Sequence, residues 1–274
     1  MKTAPLAATT DAAWVVPVTG SRQAGRRWRL PVLLGVVCAA CAAPPPVARP
    51  LPPVARWRGD METGDLGQWS YLLNARGLSV VPSPVADGRF AARVELRPGD
   101  LWPNGLNRVE LEHKPAPDSV AEGHATFFAW SLFVPVQLSP SRHQIGYWES
   151  YPSYRQIMAL EARGRSLAFV TRLPEEQVHW TASDALTPDV WHRVVMRVVW
   201  SADPSKGLVD VWFDGAPVVV HAGARTLWDA PNFVHVGLLR DKPEATELMF
   251  IDAAVEGDSL PTVWSAGEPT PAKP

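Results

Sequence analysis

Three stretches of the chain bring together residue types that move protons or hold sugars. In Asn107-Arg108-Val109-Glu110-Leu111-Glu112-His113 charged and apolar side chains alternate. On an extended strand successive side chains point to opposite faces, so Arg108, Glu110 and Glu112 share one face and Val109, Leu111 and His113 the other. Such a row fits the floor of a polar groove, and it equally fits a solvated face carrying cross-strand ion pairs. The second stretch, from Arg142 to Gln156, holds three of the four tyrosines (Tyr147, Tyr151, Tyr154) beside Trp148, Glu149, His143 and Arg155. Aromatic faces stack on the C–H surfaces of sugars, and the polar groups bond hydroxyls or pair with a carboxylate. Gln144, His143, Trp148, Tyr151, Arg155 and Glu112 are therefore candidate substrate contacts, with a packed aromatic corner as the competing explanation. The third stretch, Phe233 to Asp241, puts His235 on one face with Phe233, Gly237 and Leu239. A histidine flanked by valines is either a satisfied semi-buried residue or a proton-transfer group.

These residues need a scaffold, and the apolar period predicts strands. Period-two segments cover Ala91–Arg97, Arg108–His113, Ala125–Val134, Arg165–Arg172, Trp191–Trp200, Leu208–Phe213, Pro217–His221, Val234–Leu239 and Leu248–Ala254. No amphipathic stretch is long enough for a major helix. Asp214-Gly215, between two β-branched runs, is a strong hairpin signal, because both central residues of the favoured turn need positive φ. Asp87-Gly88 reads as a second turn. In Trp191–Trp200 one face is nearly all apolar and the other mixes apolar residues with Arg193 and Arg197, the pattern of a two-sheet sandwich. Many such strands without helices predict an all-β jelly roll.

Composition limits the partners. With 26 Lys+Arg against 28 Asp+Glu in 274 residues, the chain lacks the clustered cations that nucleic-acid binding needs. Thirteen tryptophans against four tyrosines suggest that some indoles form a binding surface, although most belong to the core. Arginines 22, 26, 27 and 29 precede an apolar run that ends in small residues and then Pro44-Pro45-Pro46, as in an export signal. Residues 1–43 are read as this signal, with a true start expected downstream near Val18. Residues 44–55 read as a Pro-rich tether, 56–264 as one β-sandwich domain and 265–274 as a tail. The run is too short to span a bilayer. Cys41 follows Ala39-Ala40 where a lipoprotein cysteine sits, so two fates stand open: lipid anchoring at the bacterial envelope, or cleavage and secretion. No spacing of His, Cys, Asp or Glu demands a metal, no cofactor motif is present, and nothing supports a structural Ca²⁺.

The order Gly59-Asp60-Met61-Glu62-Thr63-Gly64, Arg108-Val109-Glu110-Leu111, Trp191-His192-Arg193, Gly207 to Gly215 and Val236-Gly237-Leu238 resembles the heparin-lyase-like polysaccharide lyases, and is similar to alginate and glucuronan lyases with a concanavalin-like jelly roll. The resemblance implies β-elimination on an acidic, uronate-containing polysaccharide. A groove arginine would neutralise the uronate carboxylate, and His or Tyr groups would move the protons. Arg108 and Glu110 match the arginine and glutamate of one motif, whose third member is Glu112 here. Gln144 matches the start of the next, where Glu149 stands in the place of a histidine. In the last motif Gly237 is retained, while Phe233, His235 and Leu239 stand in the places of a tyrosine, a lysine and a tyrosine. Carried across, His235 and Tyr147 are the base and acid candidates, with Arg108 as carboxylate partner and Glu110 and Glu149 beside them. Two other functions compete: glycan binding without chemistry on the same fold, and glycoside hydrolysis by a carboxylate pair such as Glu110 with Glu149.

Overall fold

The computed structural model describes residues 54–241 and 245–264. The export segment, Cys41, nearly all of the Pro-rich tether and the tail lie outside the described residues. Within them the strands are β1 (Trp57–Gly59), β2 (Tyr71–Leu73), β3 (Leu78–Val81), β4 (Ala91–Leu96), β5 (Asn107–His113), β6 (Ala125–Phe133), β7 (His143–Ser150) and β8 (Arg155–Arg163). They continue with β9 (Ser166–Thr171), β10 (Gln177–Ala182), β11 (Trp191–Val199), β12 (Leu208–Phe213), β13 (Ala216–Gly223), β14 (Asn232–Arg240) and β15 (Glu247–Gly257). Helical structure among the described residues is limited to a 3-10 turn at Ala75–Gly77 and one short α-helix, α1 (Leu260–Val263).

Two antiparallel sheets form a jelly-roll sandwich. One runs β13-β12-β11-β6-β15-β4-β3, with β1 added along β15; the other runs β10-β9-β8-β7-β14-β5-β2. Val194, Met196, Val198 and Trp200 of the first sheet's centre face Val109, Leu111, Val234, Val236 and Leu238 of the second, in one continuous core. The alternation expected for β11 and β5 is the one observed, because each strand sends one set of alternate residues into the core between the sheets. The β12–β13 hairpin turns on Asp214 and Gly215, with φ of 48° and 81°. Outside the core, the second face of the eight-stranded sheet is capped by α1: Ala129, Val195, Trp212 and Val255 pack with Val263.

Six strands, β1, β2, β3, β7, β8 and β10, were not anticipated by the period-two pattern. β7 and β8 contain register shifts between Gln144 and Gly146 and between Trp148 and Glu149, and an extra residue in a strand breaks strict alternation. β7 is buried along its whole length, so its polar side chains carry no solvent-face signature.

Candidate active site

The centre of the seven-stranded sheet brings residues from three distant segments onto one outer face. β14 pairs with β5 on one side and β7 on the other, with His235 opposite both Glu112 and Tyr147. Tyr71 of β2 is opposite Glu112, so Tyr71, Glu112, His235 and Tyr147 form one row across four strands. Gly237 permits the close approach of β14 to β5, since a Cβ there would lie 2.5 Å from the Val109 carbonyl oxygen and 2.7 Å from the Glu110 Cα.

Arg108 is the hub of the cluster. Its Nε donates to Glu110 and its Nη2 to the Tyr147 hydroxyl, while the same Nη2 lies 3.5 Å from His235 Nδ1. Tyr147 in turn donates to Glu110 Oε2 at 3.3 Å and stacks on His235 with ring centroids 4.9 Å apart. An arginine only donates, so His235 Nδ1 faces it with a lone pair and Nε2 carries the proton. That Nε2 lies 3.6 Å from Glu112 and 3.7 Å from Glu149.

Burial sets the protonation states. It holds the His235 imidazolium well below the usual range, helped by Arg108, so this ring is neutral. The Tyr147 phenol is pushed well above its usual value, first by burial and then by Glu110, and keeps its proton. Burial lifts the Glu149 carboxyl to about 7 against the pull of Arg108. Glu110 is likewise raised by burial, with Arg108 opposing. The cluster therefore combines a fixed cation, a neutral imidazole and a carboxyl poised near neutrality, a set suited to proton transfer beside an anion.

A cleft of about 660 Å³ opens over these groups, lined by Arg108, Glu112, Glu149 and His235 together with Tyr71, Trp102, Lys114, Tyr151, Tyr154, Gln156 and Phe233. A larger depression, about 920 Å³, lies on the other sheet. There the polar groups are committed to the fold. Asp252 accepts the Ala86 and Asp87 amides, Glu62 those of Arg89 and Phe90, and Arg193 bonds Ser131 and the Ala253 and Val263 carbonyls. Chemistry, rather than size, marks the smaller cleft as the candidate site. Among the described residues no group of three or more His, Cys, Asp or Glu is arranged to hold a metal ion.

Of the sequence-derived candidates, Arg108, Glu112, Glu149, Tyr151 and His235 line the cleft. Glu110 is fully buried and Tyr147 nearly so, both behind Arg108. Four expected substrate contacts stand elsewhere. Trp148 points into the core, edge-on to Phe128 and Trp200, because strand alternation turns its neighbours Tyr147 and Glu149 to the outer face instead. His143 is fully buried and bridges the sheets through Glu247 at 2.7 Å, an acid that also binds Arg240. Arg155 covers Trp228 at 4.5 Å, away from the cleft. Gln144 is paired with Gln156, which lies 3.5 Å from Glu149. Sequence reasoning passed over Tyr71, Trp102 and Lys114. Lys114 was within reach, since it continues the period-two row Arg108, Glu110, Glu112. Tyr71 and Trp102 carried no comparable pattern.

The family model for polysaccharide lyases matches residues 61–255. The chain belongs to the polysaccharide lyase family. A search of curated proteins finds no match. Among solved structures, this chain is similar to the catalytic domain of a glycoside hydrolase family 131 protein from Coprinopsis cinerea, at 16% identity and a TM-score of 0.57, covering 78% of this chain and 99% of that one. A family 131 β-glucanase catalytic domain from Podospora anserina gives 16% and 0.52, covering 70% and 85%. An alginate lyase from a Chlorella virus gives 12% and 0.51, covering 75% and 100%. At these identities the likeness establishes the jelly-roll fold that this chain shares with them, and no more.

Proposed function

We propose that this family member is an exported enzyme that cleaves a uronate-containing polysaccharide by β-elimination in the cleft over β5, β14 and β7. The carrying observation is that one guanidinium nitrogen of Arg108 contacts the Tyr147 hydroxyl and faces the neutral His235 ring. A uronate carboxylate drawn to Arg108 loses charge density, which acidifies the proton at C5 next to it. His235, neutral and lining the cleft, takes that proton at Nδ1, the ring nitrogen that carries the lone pair. Glu149, with its carboxyl near 7, supplies a proton to the departing glycosidic oxygen. Tyr147 and Glu110, buried behind Arg108, are positioning residues: they fix the guanidinium and the plane of the imidazole.

The test is an ultraviolet assay for the unsaturated product across a panel of uronate polymers. Turnover with an absorbance rise supports elimination, and His235→Gln should abolish it. The absence of any rise over the whole panel would remove the proposal. One observation favours hydrolysis as a second reading: Glu112 and Glu149 flank the same imidazole nitrogen, an arrangement compatible with the roughly 5–9 Å carboxylate spacing of glycosidases. Hydrolysis would release reducing ends without the unsaturated chromophore. Glu110, sealed from the cleft, cannot be a member of that pair.

A further inference from the structure

The cleft has little positive charge to spare. Among its lining residues only Arg108 and Lys114 are cationic. Arg108 is bonded to Glu110, and Lys114 Nζ lies 3.1 Å from Glu112 Oε1. Glu149 adds a second lining carboxyl, so the two cations have no surplus over the cleft's own acids. The two ends of the cleft are aromatic instead. Tyr71 and Trp102 meet edge-to-face at 6.3 Å on one side, and on the other Tyr154 meets Tyr151 at 5.8 Å and Phe233 at 6.2 Å. Tyr71, Tyr151 and Tyr154 are each about half exposed or more, ready to stack on apolar sugar faces.

We infer that the substrate is a heteropolysaccharide in which isolated uronates alternate with neutral sugars, one carboxylate meeting Arg108 while the neutral rings rest on the aromatic ends. This deepens the lyase reading and rests on it. A homopolyuronate carries a negative charge on every ring, and those beyond the first would meet Glu112, and Glu149 wherever it has lost its proton, with no free cation to offset them. Each like-charge pair about 5 Å apart weakens binding on the order of fivefold even at a water-like dielectric.

The full chain would be run at pH 7 and low salt in native gels cast with an alternating uronate–neutral polymer, a homopolyuronate or a neutral glucan, beside the absorbance assay on the same polymers. The alternating polymer should retain the protein at least about fivefold more strongly than the homopolyuronate, the effect of the one repulsion at Glu112 that does not depend on the proton of Glu149, and should alone yield abundant unsaturated product. Equal or stronger retention by the homopolyuronate, retention by the glucan equal to that by the alternating polymer, or retention by none of them overturns the inference. A silent absorbance assay with the expected order of retention would instead remove elimination and leave the inference standing. Tyr71→Lys places a cation opposite Glu112 at an exposed edge-strand position. It should raise homopolyuronate retention several-fold, and an unchanged preference would overturn the charge argument.

Discussion

At the scale of single residues, the site works through a mismatch of protonation states. His235 is neutral because burial and Arg108 both oppose its cation, and Glu149 is raised from 4.5 to about 7 because burial outweighs Arg108. The donor form of Glu149 prevails below about 7, while His235 stays unprotonated well into the acid range. Turnover is thus expected to hold through mildly acidic pH and to decline as pH rises through about 7. Glu149→Gln should remove that declining limb and slow turnover by roughly 10²-fold, checked by pH profiles of kcat/KM for the two proteins. The identity of these residues was legible in the sequence: Arg108, Glu112, Glu149 and His235 all stand in the cleft. Their states were not, since burial at 235 and 149 depends on which strands lie beside them. Tyr147 shows the same limit, because its phenol was readable as a proton carrier and only the neighbouring strands reveal that it lies behind Arg108.

At the scale of elements, the cleft depends on how tightly β14 lies against β5. Gly237 marks the closest approach, and its absent Cβ would collide with backbone atoms of Val109 and Glu110 that cannot swing aside. Gly237→Ala should therefore cost about 2–4 kcal/mol of stability and push Glu110 and Arg108 out of register. Denaturant unfolding beside activity at a temperature where the variant remains folded would show both effects. β11 was readable because alternation survives in it, Arg193 and Arg197 interrupting its second face. β7 and β8 were not, because bulges and two-sided burial erase the period on which that reading depends. The displaced candidates follow from the same cause. His143 and Trp148 lie in β7, and a bulge decides which of its side chains face the core and which the cleft.

At the scale of the whole molecule, the tryptophans divide between two duties. Trp130, Trp148 and Trp200 are buried between the sheets, whereas Trp102 lines the cleft. Trp148→Ala should lower stability by about 3–5 kcal/mol, as truncation of a packed aromatic does. Tyr154→Ala, at a largely exposed aromatic, should change stability by less than about 0.5 kcal/mol and weaken glycan retention in native gels. The sandwich itself followed from strand periodicity, the scarcity of helical patterns and the Asp214-Gly215 turn. Which sheet would bear the cleft did not, because that choice depends on strand order, a property of pairing between segments as distant as β5 and β14. The unequal placement of the indoles also supplies a built-in optical gauge. The interior set should emit at short wavelength and report unfolding, while Trp102, seated at one wall, should dim when a sugar chain settles beside it, so that a single spectrum separates a loosened core from an occupied cleft.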